Sequence, residues 1–116
     1  MLLLKSGDKR YSLVVASTSA ERMLGLGRRA SLPDSQGMLF VFNRPAEQCF
    51  WMKDMQFSLD IIWLSSSKRI EQIMTNVSPG TYPQTFCPPS PAKYVIELNA
   101  GQVKQAGIHT GEALKF

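Results

Sequence analysis

The stretch Gly37-Met-Leu-Phe-Val-Phe42 decides the fold of this 116-residue chain. From Met38 to Phe42 a large apolar side chain occupies every position, so an extended strand here is apolar on both of its faces. A strand of that kind lies at the centre of a sheet, or inside a closed barrel that has another layer outside it. We therefore expect the other elements to pack on both sides of this strand.

Apolar runs elsewhere in the chain predict a mainly β protein. Tyr11, Leu13 and Val15 share one face of a predicted strand from residue 10 to residue 15, which is the pattern of a half-buried strand. Many short strands, in a chain with 8 Gly and 7 Pro, are typical of a compact single-domain barrel or sandwich rather than a helix bundle. Further strands are predicted at residues 48–53, 57–64, 69–77, 93–98 and 113–116.

Two short helices are predicted beside these strands. Thr18 and Glu21 have the spacing of a capping box, so the first helix should run from residue 19 to residue 24 or 26 and end at a glycine. The second helix should begin near Asn99, a candidate cap, and end at Gly107. Residues 43–45 are a predicted turn and residues 78–91 a long irregular loop. The buried side of the first helix is predicted to consist of Met23, Leu24 and Leu26.

The composition limits the class of protein. With 44% hydrophobic and 19% charged residues, the chain is typical of a globular protein and fits a single domain over residues 1–116. The net charge of +4 comes from basic residues scattered in pairs, which argues against a nucleic-acid partner. No apolar run approaches the roughly 20 residues of a transmembrane helix.

The compartment depends on whether a leader has been removed. Met1-Leu-Leu-Leu-Lys5 is shorter than the apolar region of a signal peptide, so the chain is either cytoplasmic or an exported, periplasmic form without its leader. Cys49 and Cys87 would pair in an exported protein and could equally be ordinary buried thiols. Because no Cys-x-x-Cys motif is present, no metal site is predicted, and no cofactor is indicated.

Asp60 is the residue that core packing explains least well. It lies within Leu59-Asp-Ile-Ile62, where a lone carboxylate is costly unless it finds hydrogen-bond donors or is protonated. It could tie down the backbone amides of a neighbouring loop, or it could bind a ligand or act in catalysis. Glu97 alternates outward from the apolar face of its predicted strand, and it could join Asp60 as a pair of carboxylates.

The neighbours of Asp60 depend on the turn at residues 54–56. If residues 48–53 and 57–64 form a hairpin with a two-residue turn, Cys49 lies opposite Asp60. With a three-residue loop Phe50 lies there instead. The sequence leaves both registers open, and neither places Lys53 directly opposite Asp60.

Several blocks of the chain, in order, resemble the DUF192 family of small single-domain proteins of unassigned function. They include the opening stretch, Phe50-Trp-Met-Lys53, Leu59-Asp-Ile-Ile62 and Tyr94-Val-Ile-Glu-Leu98, and they extend over nearly the whole chain. One departure is Gly27, which stands where the family usually has Met. The resemblance implies a small, mainly β, barrel-like domain, and many bacterial members look exported.

These features predict a non-catalytic domain of the bacterial cell envelope that binds a small ligand or acts as an accessory protein. The partner would be a small molecule or an envelope protein. The alternatives are a hydrolase that uses Asp60 as acid or base and a structural module for protein interaction. An aromatic side chain at a pocket mouth commonly holds a sugar ring or an apolar ligand. The predicted pocket is lined by Asp60, Trp51, Lys53, Phe50, Met52, Tyr94 and Glu97.

Overall fold

A computed structural model describes all 116 residues and shows an open six-stranded sheet with smaller elements on both of its faces. No helix is long and apolar enough to cross a membrane. The helices are α1 (Ser19–Leu24) and α2 (Gln102–Ala106), with a 3-10 turn at Pro79–Thr81. The strands are β1 (Leu2–Ser6), β2 (Lys9–Ala16), β3 (Gln36–Ala46), β4 (Phe50–Trp51), β5 (Leu59–Leu64), β6 (Ile70–Val77), β7 (Thr85–Phe86) and β8 (Ala92–Asn99).

The large sheet has the order β1-β2-β3-β8-β5-β6, so β3 and β8 are central. Only the β2–β3 pair is parallel. This position confirms the prediction for residues 38–42, because a central strand is covered on both faces. The mainly β, compact single domain with two short helices is also as predicted; β4 and β7 form a second, two-stranded sheet.

The barrel alternative is wrong, because β1 and β6 remain separate edges of the sheet. The C-terminal segment comes close to joining them. It forms one bridge to β1, between Lys115 and Lys5, and one beside β6, between Ala113 and Arg69. Two isolated bridges do not close a sheet, and the predicted terminal strand at 113–116 is reduced to these contacts.

Each face of the sheet carries its own apolar core. Leu39, Ile62 and Leu98 belong to the first core, which α2 and the C-terminal segment cover. Phe40 and Ile61 belong to the second core, on the side of α1 and β4. Successive residues of β3 and β5 therefore enter different cores, as strand alternation requires. We call these two sides the α2 face and the α1 face.

The predicted hairpin between residues 48–53 and 57–64 does not form. β4 pairs with β7, and its residues Phe50 and Trp51 lie opposite Phe86 and Thr85. β5 instead pairs with β6 on one side and with β8 on the other. Both registers considered for Asp60 are therefore wrong. The predicted turn at 43–45 is also wrong, since β3 continues through it to Ala46.

The two helices begin and end close to their predicted positions. The capping box of Thr18 and Glu21 is present, and α1 ends at Gly25. α2 ends at Gly107, as predicted, but its N-cap is Gly101. The side chain of Asn99 does not cap the helix and donates a hydrogen bond to Asp34 Oδ1 over 2.9 Å.

Cys49 and Cys87 form a disulfide between positions 38 residues apart, just outside the paired strands β4 and β7. A bond that closes so long a loop restricts the unfolded chain. We expect the double variant Cys49→Ser, Cys87→Ser to lose about 3–4 kcal/mol of unfolding free energy in urea. Wild-type protein in excess reductant is the control and should match the variant. Equal urea midpoints for oxidised and reduced wild type would contradict this expectation.

Candidate functional site

A small pocket opens on the α1 face, between the end of α1, β4 and the central strands. Its volume is about 40 Å³, and 7 of the 11 residues that line it are hydrophobic. The pocket lies where the chain leaves α1 through the turn Gly25–Gly27 and where β4 crosses the second core. It is lined by Met23, Leu24, Gly25, Leu26, Gly27, Phe40, Phe50, Trp51, Lys53, Met55 and Glu97.

β4 is held over the sheet by several independent contacts. The indole Nε1 of buried Trp63 donates a 2.7 Å hydrogen bond to the carbonyl oxygen of Gln48, just before the strand. The ring of Phe50 packs edge-on against Phe40, with ring centroids 4.9 Å apart, and against Trp63 at 6.2 Å. Such aromatic pairs add to burial energy through their quadrupoles. The wall that β4 contributes is therefore anchored at its base, next to the disulfide.

Trp51 lies at the mouth of the pocket with its side chain partly in solvent. It is 45% exposed, packs against Tyr82 at 5.2 Å between ring centroids, and has Lys53 Nζ 5.6 Å from its own ring centroid. Beside it Met23 and Leu24 are 88% and 57% exposed. The predicted buried side of α1 is thus wrong for these two residues, and only Leu26 enters the core.

Glu97 forms part of the inner wall of this pocket and is the unusual group in it. Glu97 lies opposite Met38 of β3 and Ile61 of β5, so its side chain is on the α1 face at the centre of the sheet. It is 4% exposed, and no hydrogen bond or ion pair of the protein involves its carboxyl group. Every side-chain nitrogen or oxygen atom that is fully enclosed in this protein has a hydrogen-bond partner, so the carboxyl oxygens of Glu97 are not fully enclosed. The carboxyl group must therefore reach the pocket.

Burial raises the pKa of Glu97 to about 8. Removal from water penalises the charged form of the carboxyl group, and no cation of the protein forms an ion pair that would offset this penalty. The prediction that Glu97 alternates outward is wrong. β8 is central, so both of its faces are covered, and Glu97 is a buried acid in an apolar core. Groups with such perturbed titration concentrate at functional sites.

A wider groove of about 470 Å³ adjoins the small pocket and shares Met23, Leu24, Trp51 and Lys53 with it. The charges of this outer groove are on its rim. Arg28 Nε and Asp54 Oδ2 lie 3.9 Å apart as an exposed pair. Exposed apolar side chains beside a cavity mark surfaces that bind ligands or partners. The groove is lined by Ala20, Met23, Leu24, Arg28, Trp51, Lys53 and Asp54.

Asp60 lies on the other face of the sheet and lines neither cavity. It is fully buried, and its carboxylate accepts hydrogen bonds of 3.0 Å from the amides of Asn76, Gly101 and Val103. The pKa of Tyr11 is raised mainly by burial, and the negative charges of Asp34 and then of Asp60 raise it further.

The proposed pairing of Asp60 with Glu97 is therefore wrong. In the β5–β8 register Asp60 lies opposite Leu98, and Glu97 lies opposite Ile61, so the two carboxyl groups point to opposite faces. The sheet itself separates them. The arrangement of Asp60 is the one expected of a carboxylate that ties down neighbouring backbone amides.

The residues predicted to line one pocket divide into two groups. Phe50, Trp51, Lys53 and Glu97 meet at the small pocket. The others do not: Met52 is buried in the second core, Asp60 is on the α2 face, and Tyr94 packs against Phe116 with ring centroids 5.5 Å apart.

The contribution of α1 and its turn to the site differs from the pocket lining predicted from the sequence. A signal was available for part of it. The helix is only six residues long, and it ends in the apolar residues Met23 and Leu24, with Leu26 in the turn that follows. A helix so short cannot bury side chains all around its axis, so some of them had to face solvent. No comparable local signal indicates that Phe40 and Met55 reach the pocket.

Two solved structures share this fold over almost the whole chain. The first is a protein of unknown function from Novosphingobium aromaticivorans DSM 12444, with 30% identity and a TM-score of 0.90, over 98% of this chain and 83% of that chain. The second is a "putative transcription regulator" from Sinorhizobium meliloti 1021, with 29% identity and a TM-score of 0.89, over 97% of this chain and 89% of that chain.

No curated protein matches the chain. The family model for DUF192, described as "Uncharacterized ACR, COG1430", matches residues 2–116. This match covers the blocks that carried the resemblance in the sequence, and it confirms that resemblance. The chain belongs to the DUF192 family.

Proposed function

We propose that this protein is a non-catalytic domain of the bacterial cell envelope that binds a small ligand in the pocket beside Glu97. A ligand would place a small polar group next to the Glu97 carboxyl and its larger apolar part in the outer groove, against Trp51. The observation that carries the proposal is the carboxyl group of Glu97, which has no partner within the protein and lines a pocket formed mainly by hydrophobic residues.

The Glu97 carboxyl has no hydrogen-bond partner within the protein, and it can find one only in the pocket that it lines. A buried carboxyl group without a partner costs free energy, whether it is charged or neutral. A polar group left without a protein partner in a native structure needs an explanation, and a ligand that supplies the partner is one. Ligand pockets are typically apolar with a few polar groups that fix orientation. Phe50 and Trp51 provide the apolar walls, and Lys53 the single cation at the pocket.

The envelope assignment rests on weaker support, the disulfide between Cys49 and Cys87. Structural disulfides persist in oxidising compartments and are rare in the cytosol. This bond joins the ends of β4 and β7 and so stabilises the strand that carries Phe50 and Trp51.

The hydrolase alternative has no comparable support. It was built on Asp60, whose oxygens already accept three backbone hydrogen bonds and face away from both cavities. An acid or base must come within hydrogen-bond reach of a substrate.

The proposal is tested by NMR titration of labelled protein with three small probes: n-pentylamine, n-pentanol and methyl β-D-glucoside. At least one probe should shift the amide signals of Gly25 and Gly27 and the indole signal of Trp51, with a Kd below about 10 mM. The variant Glu97→Met fills the pocket with a neutral side chain and should abolish these shifts, whereas the exposed-site control Glu47→Gln should keep them. If no probe shifts these signals, the proposed function is wrong.

A further inference from the structure

We infer that the pocket is built for the primary ammonium group of an aliphatic amine, held against the carboxylate of Glu97 with its alkyl chain in the outer groove. This inference rests on the proposed function and narrows it to one class of ligand.

The donors and acceptors around the pocket favour a cation over an anion. The polar group in its inner wall is a carboxyl, and when ionised it accepts hydrogen bonds only. Three aromatic side chains, Phe40, Phe50 and Trp51, also line the pocket. Aromatic faces attract ammonium groups through the ring quadrupole, more strongly where water is excluded.

The wall formed by α1 points to the same conclusion. The pocket is lined by the carboxyl end of the helix, where backbone carbonyls are left over rather than amides. The two glycine amides of the adjoining turn are already used. Gly25 N–H donates to the carbonyl of Glu21, and Gly27 N–H donates to the carbonyl of Leu24, each over 2.9 Å. These amides cannot bind a ligand anion.

The size of the pocket selects a small group. Its volume of about 40 Å³ is a few times the roughly 10–15 Å³ that one water molecule requires. An ammonium group with its first methylene fits this space, and a sugar ring does not. The groove of about 470 Å³ outside can take the rest of an alkyl chain, against Met23, Leu24 and Trp51.

No charged side chain of the protein neutralises Glu97, so a cationic ligand can pair with it. Lys53 lines the pocket, is exposed, and forms no ion pair with Glu97; Arg28 and Asp54 compensate each other at the outer rim. No other titratable side chain lines either cavity. Of the elements packed around Glu97, β5 carries Asp60, which faces the opposite side of the sheet. Lys53 should weaken amine binding slightly, so Lys53→Met should strengthen it two- to fivefold.

The proton balance of binding makes the inference testable. In the free protein the pKa of Glu97 is about 8, so near neutral pH the group is mostly protonated. An alkylamine is protonated throughout this range. When it enters as the ammonium ion, the Glu97 carboxyl releases its proton to solvent and an ion pair forms. The affinity should therefore rise with pH and become constant above about pH 8.

The experiment compares n-pentylamine with n-pentanol, which differ only in the polar end. Calorimetry and NMR titration should show that pentylamine affinity rises about 50-fold from about pH 6 to about pH 8, with proton release near neutral pH. At about pH 8, Glu97→Gln should lower pentylamine affinity at least about tenfold relative to the wild type, and it should remove the pH dependence. The exposed-site control Glu47→Gln should change neither.

The outcomes separate this inference from the proposed function. If pentanol or methyl β-D-glucoside binds at the pocket and pentylamine binds no better, the amine inference is wrong and the binding function stands. If pentylamine affinity falls with rising pH, a neutral Glu97 is the binding form and the inference is also wrong. A blocked lysine, Nα-acetyl-lysine methylamide, distinguishes sources. Tighter binding than pentylamine indicates a lysine side chain of a peptide, and weaker binding indicates a free amine.

Discussion

Replacing Glu97 by Gln should make the protein more stable, by about 3 kcal/mol at pH 7. The pKa of this carboxyl group is about 8 in the folded protein, against an ordinary value of 4.5. Between these two values the unfolded chain releases the proton and the folded protein keeps it. Each pH unit in that window costs about 1.4 kcal/mol of unfolding free energy, so about 2.5 units apply at pH 7. Gln keeps the shape of the side chain and removes the ionisation.

The sign of the pH dependence follows from the same linkage. Below about pH 4.5 both states are protonated, and Glu97 contributes no pH dependence. From there to about pH 8 the wild type should lose stability relative to Glu97→Gln as the pH rises, and above pH 8 the difference should stay constant. Urea unfolding of both proteins at several pH values measures this difference. The exposed-site variant Glu47→Gln is the control, and a Glu97→Gln difference that does not change with pH would refute the burial argument.

A stabilising Glu97→Gln substitution would have a functional meaning. Most substitutions in a packed core destabilise, and the exceptions concentrate where function requires a group that the fold alone would not select. Gain of stability together with loss of amine binding in one variant would separate the two roles. A residue with a purely structural role would lose stability on substitution.

The central sheet could be predicted from the sequence because its signals are local. Leu39 and Phe40 are neighbours that enter opposite cores, and the run of apolar residues around them required a strand covered on both sides. The capping box of Thr18 and Glu21 is equally local, and α1 begins where it predicts.

The site could be predicted only in part, because it depends on pairing between distant strands. The sequence predicts that residues 50–51 form a hairpin with the next strand, since consecutive strands are usually neighbours in a sheet. They pair instead with residues 85–86, inside a segment predicted to be irregular. The prediction that Glu97 points outward fails for a related reason. Side chains do alternate between the two faces of β8, as predicted, but only the strand order shows that β8 is central and that both of its faces are covered.

Replacing Asp60 by Asn should have the opposite effect to the Glu97 substitution, a loss of about 3 kcal/mol or more. Its carboxylate accepts hydrogen bonds from the amide of Asn76 in β6 and from the amides of Gly101 and Val103 at the start of α2. α2 has glycine as its N-cap and no side-chain cap of its own. Asp60, from β5, therefore supplies both the acceptor and the negative charge that a helix N-terminus favours.

Asn keeps the shape of Asp60 but replaces one acceptor oxygen with an amide NH2 group. This NH2 is a donor and cannot accept the backbone N–H that the oxygen accepted. Urea unfolding gives the loss, and hydrogen exchange should show reduced protection of Val103. Asp34→Asn is a matched control, since exposed Asp34 accepts a hydrogen bond from Asn99 and should cost under about 1 kcal/mol. Because Asp60 and Glu97 lie on opposite faces, folded Asp60→Asn protein should bind pentylamine as the wild type does. Unchanged stability with lost binding would instead place Asp60 in the ligand site.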